Sequence, residues 1–225
     1  MMLRVEGLAA ILPAGTWSRL ILAGRARLFR SGNVLVRQGD LSDHVVLVLH
    51  GRVKVSMVDT EGNIVLLAVR GPGELIGELG VLGGGDMRRS ATVTAMGYCS
   101  TRIIPCSEFR AATGSLGFGE QLLQHMVQRQ HEGDDVRAEL SWLQSGPRIA
   151  RCLLRLALLG ADDPASRPDE IDVGLNQVEL SQAVGLHRST VADELKRLRE
   201  DGIVRTAGRH IVIVDLAALR KKAGE

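Results

Sequence analysis

The chain has 225 residues, with 28 Lys and Arg against 26 Asp and Glu, a formal net charge of +2 and 45% hydrophobic residues. This is the profile of a globular protein with room for two domains and no global charge argument for a partner. Only 3% of residues are aromatic, so the core must rest on Val, Leu, Ile and Ala, which argues against the base-stacking platform of a single-strand binder. Cys99, Cys106 and Cys152 are widely spaced and contain no C-x-x-C pair; they read as reduced, buried thiols. No signal-peptide core is visible, and no apolar run approaches the roughly 18 residues of a membrane helix. The expected location is the cytoplasm.

In chain order, helical spacing of Trp17, Leu20, Ile21 and Gly24 predicts a short helix over 17–26. Strand signals follow at 28–36, 45–49, 53–58, 64–69, 91–94 and 99–105, punctuated by Gly32, Gly39, Gly51, Gly62, Gly71 and Gly73. Short β-branched runs at about ten-residue spacing suit a compact antiparallel barrel or roll. Asp59–Gly62 has the composition of a hairpin turn.

Within this region, residues 76–93 read IGELGVLGGGDMRRSATV. Glycines that tolerate positive φ let backbone N–H groups close on a small anion. Arg89 would neutralise a phosphate with a two-pronged contact, and Glu78 would accept hydrogen bonds from sugar hydroxyls. The competing reading is a hairpin loop with a surface arginine.

Beyond residue 110 the period changes. Leu122, Met126, Arg129, Gly133, Val136, Leu140 and Leu143 step by three and four, a heptad seam that predicts one long helix ended by Gly146-Pro147. Such a seam is covered by a second copy of the helix or by the protein's own barrel, and Arg129 and Gly133 interrupt it at its middle. Ile149, Leu153, Leu156 and Ala157 carry the next helix, and 161–168 is a polar connector with two prolines.

Residues 175–195 read LNQVELSQAVGLHRSTVADEL. Two short helices fit, 177–184 and a second from His187, with Gly185 at the turn. This is the helix-turn-helix pattern, whose second helix enters the DNA major groove. Residues 202–214 form the hairpin of a winged helix. Between His187 and Lys222 there are nine Lys and Arg against five Asp and Glu, a local surplus that suits nucleic acid. Arg188 sits where a guanidinium reaches guanine O6 and N7. His187, Ser189 and Thr190 suit a phosphate or base edge, and Lys196 and Arg209 suit the backbone.

These residues resemble the cAMP receptor protein/FNR (CRP/FNR) family of bacterial transcription regulators over nearly the whole chain. Gly77-Glu78-Leu79-Gly80 with Arg89-Ser90-Ala91 is similar to the family's phosphate-binding cassette, and Gly185-Leu-His-Arg-Ser-Thr-Val to the turn into its recognition helix. The resemblance implies an α+β fold with three parts: an N-terminal helix and antiparallel β-roll over 1–113, a dimerisation helix over 114–146, and a winged helix-turn-helix over 147–225. Effector contacts would come from Gly77, Glu78, Leu79, Arg89, Ser90 and, on the long helix, Asp134. It further implies a homodimer on a pseudo-palindromic duplex site, RNA polymerase as a protein partner, and cAMP or another cyclic nucleotide as ligand.

This chain also departs from the family. Gly133 and Asp134 stand where the cAMP receptor protein offers a Thr-Ser pair to adenine, and Ser189 and Asp193 replace a Glu and a second Arg on the recognition helix. A vestigial or retuned pocket, ligand-independent or sensing another small molecule, is therefore an open alternative. The N-terminal cysteine cluster of the iron–sulfur branch is absent. No His-x-His set for a cupin-type metal enzyme occurs either, so neither a metal, a haem nor catalysis is expected. The helix-turn-helix argues against a module that only regulates another protein.

Overall fold

The computed structural model describes residues 7–83, 87–160, 170–207 and 210–225. The chain divides into two compact units, Met1–Asn63 with Ala68–Glu132, and Ile64–Leu67 with Gly133–Glu225.

The first unit opens with α1 (Leu8–Ile11) and α2 (Ala14–Ala23). The strands are β1 (Arg25–Phe29), β2 (Val34–Val36), β3 (His44–His50), β4 (Val53–Val58), β5 (Ile64–Arg70) and β6 (Leu75–Ile76), then β7 (Thr92–Ala95) and β8 (Cys99–Pro105) after the short α3 (Glu78–Leu82). They form two four-stranded sheets, ordered β1-β8-β3-β6 and β2-β7-β4-β5. Side chains of both sheets, among them Val46, Val48, Val53, Ile76, Val93 and Cys99, fill the space of the roll. On the other face of β3, Val45 and Leu47 pack with Leu20, Phe109 and Leu122 of the helices and with Phe118. Val45–Val48 is therefore buried on both faces, which explains why this strand reads as an unbroken apolar run rather than an alternating one.

Three local expectations are corrected. The first helix starts at Ala14, directly after Pro13, and ends at Ala23, because proline is preorganised to start a helix and Gly24 lets the chain turn into β1. The single strand expected over 28–36 is two: Gly32 takes φ +82°, and the Arg30 N–H donates to Asn33 Oδ1 at 2.9 Å. Ser31-Gly32-Asn33 is thus a turn signal inside an apolar run. The helical region after β8 is also broken: α4 (Cys106–Leu116) stops at Gly117 with φ +66°, and α5 runs over Gly119–Trp142.

The break after α5 precedes Gly146-Pro147. In the second unit, α6 (Ser145–Gly160) contains Pro147 in its first turn, where a missing N–H has no helical acceptor to lose. The seam of α5 also turns inward in its first half. Leu122 and His125 are each 2% exposed, whereas Leu123 is 63% and Val127 47% exposed. The roll is what Leu122 and Arg129 meet, and the free apolar stripe lies one position further on.

The second unit continues with β9 (Ile171–Asp172), α7 (Gln177–Val184), α8 (Arg188–Glu200), β10 (Val204–Ala207), β11 (His210–Ile213) and α9 (Leu216–Ala223). The three strands form one antiparallel sheet, β10-β11-β9. Val184, Val191, Leu195, Leu198, Ile203 and Leu219 are buried in this unit. The connector expected at 161–168 lies outside the described residues.

Candidate functional site

In the first unit, β6 delivers the chain to Gly77, which takes φ +91° and begins α3. Only glycine is at ease with that angle. A Cβ there would also lie 2.1 Å from Nη1 of Arg89 and 3.2 Å from the carbonyl oxygen of His44. Gly77 is thus the floor of a slot that holds the guanidinium. Arg89 is 6% exposed; its Nη2 donates to the His44 carbonyl at 2.5 Å. The carboxylate of Asp43 is 3.8 Å from Nη2, but its side chain is 75% exposed. Nη1 is buried and has no acceptor among the described residues. Burial pulls the pKa of Arg89 below the usual arginine value, with Asp43 the largest opposing charge.

Glu78 is buried too, but it is engaged. Arg129 of α5 pairs through Nη1 with Glu78 Oε1. Through Nη2 it donates to Glu74 Oε2 at 2.6 Å and to the carbonyl oxygen of Leu75 at 2.7 Å. Burial opposes the charge of Arg129, yet the two carboxylates outweigh it and raise its pKa. Arg70 extends the cluster, reaching Glu132 at 2.6 Å and Glu74 at 3.7 Å. His125 Nε2 is 3.6 Å from Glu74 Oε2 and has no hydrogen-bond partner among the described residues. Burial, then the charge of Arg129, lower its pKa, so it is neutral at neutral pH.

The structure therefore brings Gly77, Glu78 and Arg89 together around one corner of the roll. Leu79 is 48% exposed, and Ser90 is also exposed. Gly84, Gly85 and Asp86 of the glycine run lie outside the described residues. Asp134 is exposed on α5 and pairs with Arg137. Sequence reasoning missed Glu74 and Arg129 as site residues. The available signal was the arginine at a seam position, since a charge there needs a buried counter-charge to face.

In the second unit, Asn176 caps α7 by accepting from the N–H groups of Val178 and Glu179, while Glu179 accepts from the Asn176 N–H, a full capping box. Gly185 takes φ +60° at the turn, and α8 follows with His187 as its cap. His187 Nδ1 lies 2.8 Å from Ser189 Oγ. Arg188 and Ser189 are exposed and Thr190 half-buried on the first turn. Lys196, further along, is 3.8 Å from Glu200. Glu194 accepts from Ser145 Oγ at 2.7 Å and from Arg197 at 3.2 Å, tying α8 to the start of α6. Arg209 lies outside the described residues. An exposed helix with an arginine on its first turn, braced by a second helix, has the shape and charge for a DNA groove.

Among the described residues there is no group of three or more His, Cys, Asp or Glu that could hold a metal ion, and no helix long and apolar enough to cross a membrane.

Residues 26–114 match the family model of the cyclic nucleotide-binding domain, and residues 147–222 that of the Crp-like helix-turn-helix domain. The chain is 30% identical over 186 residues to the cAMP-activated global transcriptional regulator CRP of Salmonella typhimurium, covering 82% of this chain and 87% of that protein. It is 27% identical over 201 residues to the CRP-like cAMP-activated global transcriptional regulator of Mycobacterium tuberculosis, covering 87% and 86%. A solved transcriptional regulator of the CRP/FNR family from Thermus thermophilus aligns with a TM-score of 0.73 at 25% identity, over 89% of this chain and 99% of that one. The c-di-GMP responsive regulator CLP of Xanthomonas campestris shares the fold, with a TM-score of 0.73 at 23% identity over 90% and 100%. Two family models placed in this order, and relatives matched across both, assign the chain to the CRP/FNR family of transcription regulators, with a cyclic nucleotide-binding domain followed by a DNA-binding helix-turn-helix.

Proposed function

We propose that the protein is a homodimeric, effector-responsive regulator. In this reading residues 1–113 form the effector domain, 114–146 the dimerisation helix and 147–225 the DNA-binding domain. The ligand is a cyclic nucleotide, cAMP or a relative, held by Gly77, Glu78, Leu79, Arg89 and Ser90. The observation that carries this is Arg89 Nη1, a buried cationic donor with no acceptor among the described residues, beside a glycine whose Cβ would fill the slot. A desolvated guanidinium short of acceptors is a site for an anion, and the phosphate of a cyclic nucleotide supplies one. Two of the relatives named above carry cAMP activation in their names.

The remaining assignments rest on the same family. His187, Arg188, Ser189, Thr190, Lys196 and Arg209 would contact a pseudo-palindromic duplex. The exposed Leu123 and Val127, at i and i+4 on α5, favour a second copy of the helix as the dimer partner. RNA polymerase is the proposed protein partner and the cytoplasm the proposed location; no catalysis is assigned. Effector control operates through unequal affinity for the DNA-competent and DNA-incompetent arrangements.

The test is calorimetric titration of the purified dimer with cAMP and, in parallel, cGMP. Binding that Arg89→Ala abolishes supports the cradle. Equal affinity of the two proteins removes Arg89 from it. A second reading, a retuned or ligand-independent pocket, is favoured by one observation: Arg129 already satisfies Glu78 and Glu74 within the protein. No heat with either nucleotide, together with an unshifted melting curve, selects that reading.

A further inference from the structure

Between Trp142, the last residue of α5, and Ser145, the first of α6, the chain has only Leu143 and Gln144. So short a link leaves more than one angle open between two helices, and side chains across the elbow have to choose among them. The groups that meet there all belong to the second unit. Glu139, three residues before the end of α5, is 8% exposed. Its Oε2 accepts from Arg155 Nη1 at 2.7 Å, and its Oε1 lies 3.6 Å from Arg151 Nη1. The two arginines are four residues apart and so share one face of α6. Arg151 is held twice more: its guanidinium carbon lies 5.6 Å from the ring centre of Trp142, and its Nε donates to the carbonyl oxygen of Ala223, at the end of α9, at 3.1 Å. Arg148 Nη2 donates to the carbonyl oxygen of Leu143 in the link itself, at 2.7 Å. Beyond the elbow, the bond from Ser145 to Glu194 carries the start of α6 to α8. A carboxylate this far out of water is costly unless it stays paired, so the pairing resists any change of angle that would separate Glu139 from its arginines.

We infer that Glu139, Arg151 and Arg155 are positioning residues that fix the angle between α5 and α6 and, through it, the half-site spacing that the homodimer accepts. The inference rests on the reading of α5 as the dimerisation helix and of α8 as the helix that enters the DNA groove. In a two-fold dimer the paired copies of α5 are the common frame. Each α8 is carried from that frame by α6, so the elbow angle sets the separation of the two recognition helices. Inserting one base pair between half-sites moves them apart by about 3.4 Å and turns one relative to the other by about 34°. A clamped elbow meets that change only by distorting the DNA, whereas a released one swings to follow it.

The test uses the full-length protein, with and without cAMP. A half-site is first selected from randomised duplex DNA, and palindromes of it are then made with the spacing varied one base pair at a time from about one helical turn. The wild type should bind one spacing about 10-fold better than its neighbours, or more, because a misplaced half-site has to be reached by twisting or bending the duplex. R155M and E139Q should narrow that ratio to about 3-fold or less, while the penalty for a mutated half-site at the best spacing stays as in the wild type. R155K keeps a cation facing Glu139 and should retain the wild-type profile. Melting curves on the same samples establish that each variant is folded. The Arg155 side chain is 39% exposed, so R155M and R155K carry the comparison if E139Q does not fold. The assignment is overturned if R155M keeps the wild-type spacing profile, even with affinity lowered alike at every spacing, for then the cluster only stabilises the unit. A wild type that binds single half-sites as tightly as paired ones overturns the dimer reading, and the clamp with it.

Discussion

Two corners of the β-roll each hold an arginine, and they are built in opposite ways. On the α5 side, Arg129 meets Glu78, Glu74 and a backbone carbonyl, and the carboxylates raise its pKa. On the α3 side, Arg89 meets one carbonyl and a distant, exposed Asp43, and burial lowers its pKa. The first arrangement pairs its charges within the protein, so removing a member leaves a buried carboxylate uncompensated. Among the described residues the second leaves Arg89 Nη1 without an acceptor, a cost that an arriving anion would offset. The difference lies in the charge balance: Arg129 faces two buried carboxylates, whereas Arg89 faces only the exposed carboxylate of Asp43 among the described residues.

The sharpest way to break this contrast is to replace both arginines with methionine, a flexible side chain of similar length. R129M should destabilise the protein by about 3–5 kcal/mol, the usual cost of stranding the partners of a buried ion pair. R89M should change stability by about 1 kcal/mol or less, in either direction, because little is lost. Urea unfolding of the two proteins checks this, and equal losses would remove the distinction between the corners.

A smaller effect is expected from Gly77→Ala. The residue would be held at φ +91° with its Cβ in the space of the Arg89 guanidinium. We expect about 1–3 kcal/mol of lost stability and a loss of nucleotide binding beyond that of a distant control of equal stability. Calorimetry and melting on the same samples separate the two effects.

The smallest effect sharpens the α5 corner alone. Because burial lowers the pKa of His125 below its ordinary 6.5, the unfolded chain takes up the proton at higher pH than the folded one does. The neutral histidine's contribution is therefore intact above pH 6.5 and is lost as the pH falls below that value towards the folded pKa. Arg70, Glu74, Glu78 and Arg129 are the charged groups around it, and the two arginines reinforce the direction while the carboxylates oppose it. Stability measured from pH 8 to 5 should fall less steeply in H125Q than in the wild type. Identical profiles would mean that His125 does not titrate across this window.

Much of the fold was legible because its signals are local. Gly185 marks the turn between the two short helices, and Asp59–Gly62 the β4–β5 turn, where Asp59 Oδ1 accepts from the N–H groups of Glu61 and Asn63 at 2.8 Å each. The strand expected over 28–36 failed for the same kind of reason: a local turn signal at Ser31-Gly32-Asn33 was outweighed by its apolar neighbours. Of the candidate site, Gly77, Glu78 and Arg89 stood out because they frame a run of glycines between an acid and an arginine pair. Glu74 and Arg129 did not, since they lie 55 residues apart in the chain and the seam shows only that Arg129 is out of place, not which carboxylate it meets.

By itself the sequence determined the rough order of most helices and strands, that a helix-turn-helix follows a β-roll, and which residue types gather at the glycine-rich turn. Those follow from backbone geometry and side-chain periodicity over a few residues. Only the tertiary structure decided that Glu78 is held by Arg129, that Arg89 Nη1 finds no acceptor among the described residues, and that the inner face of α5 runs through His125 and Arg129. Each of these depends on which charges meet after the chain has closed on itself, and a buried charge is satisfied or stranded by neighbours that sequence distance does not reveal.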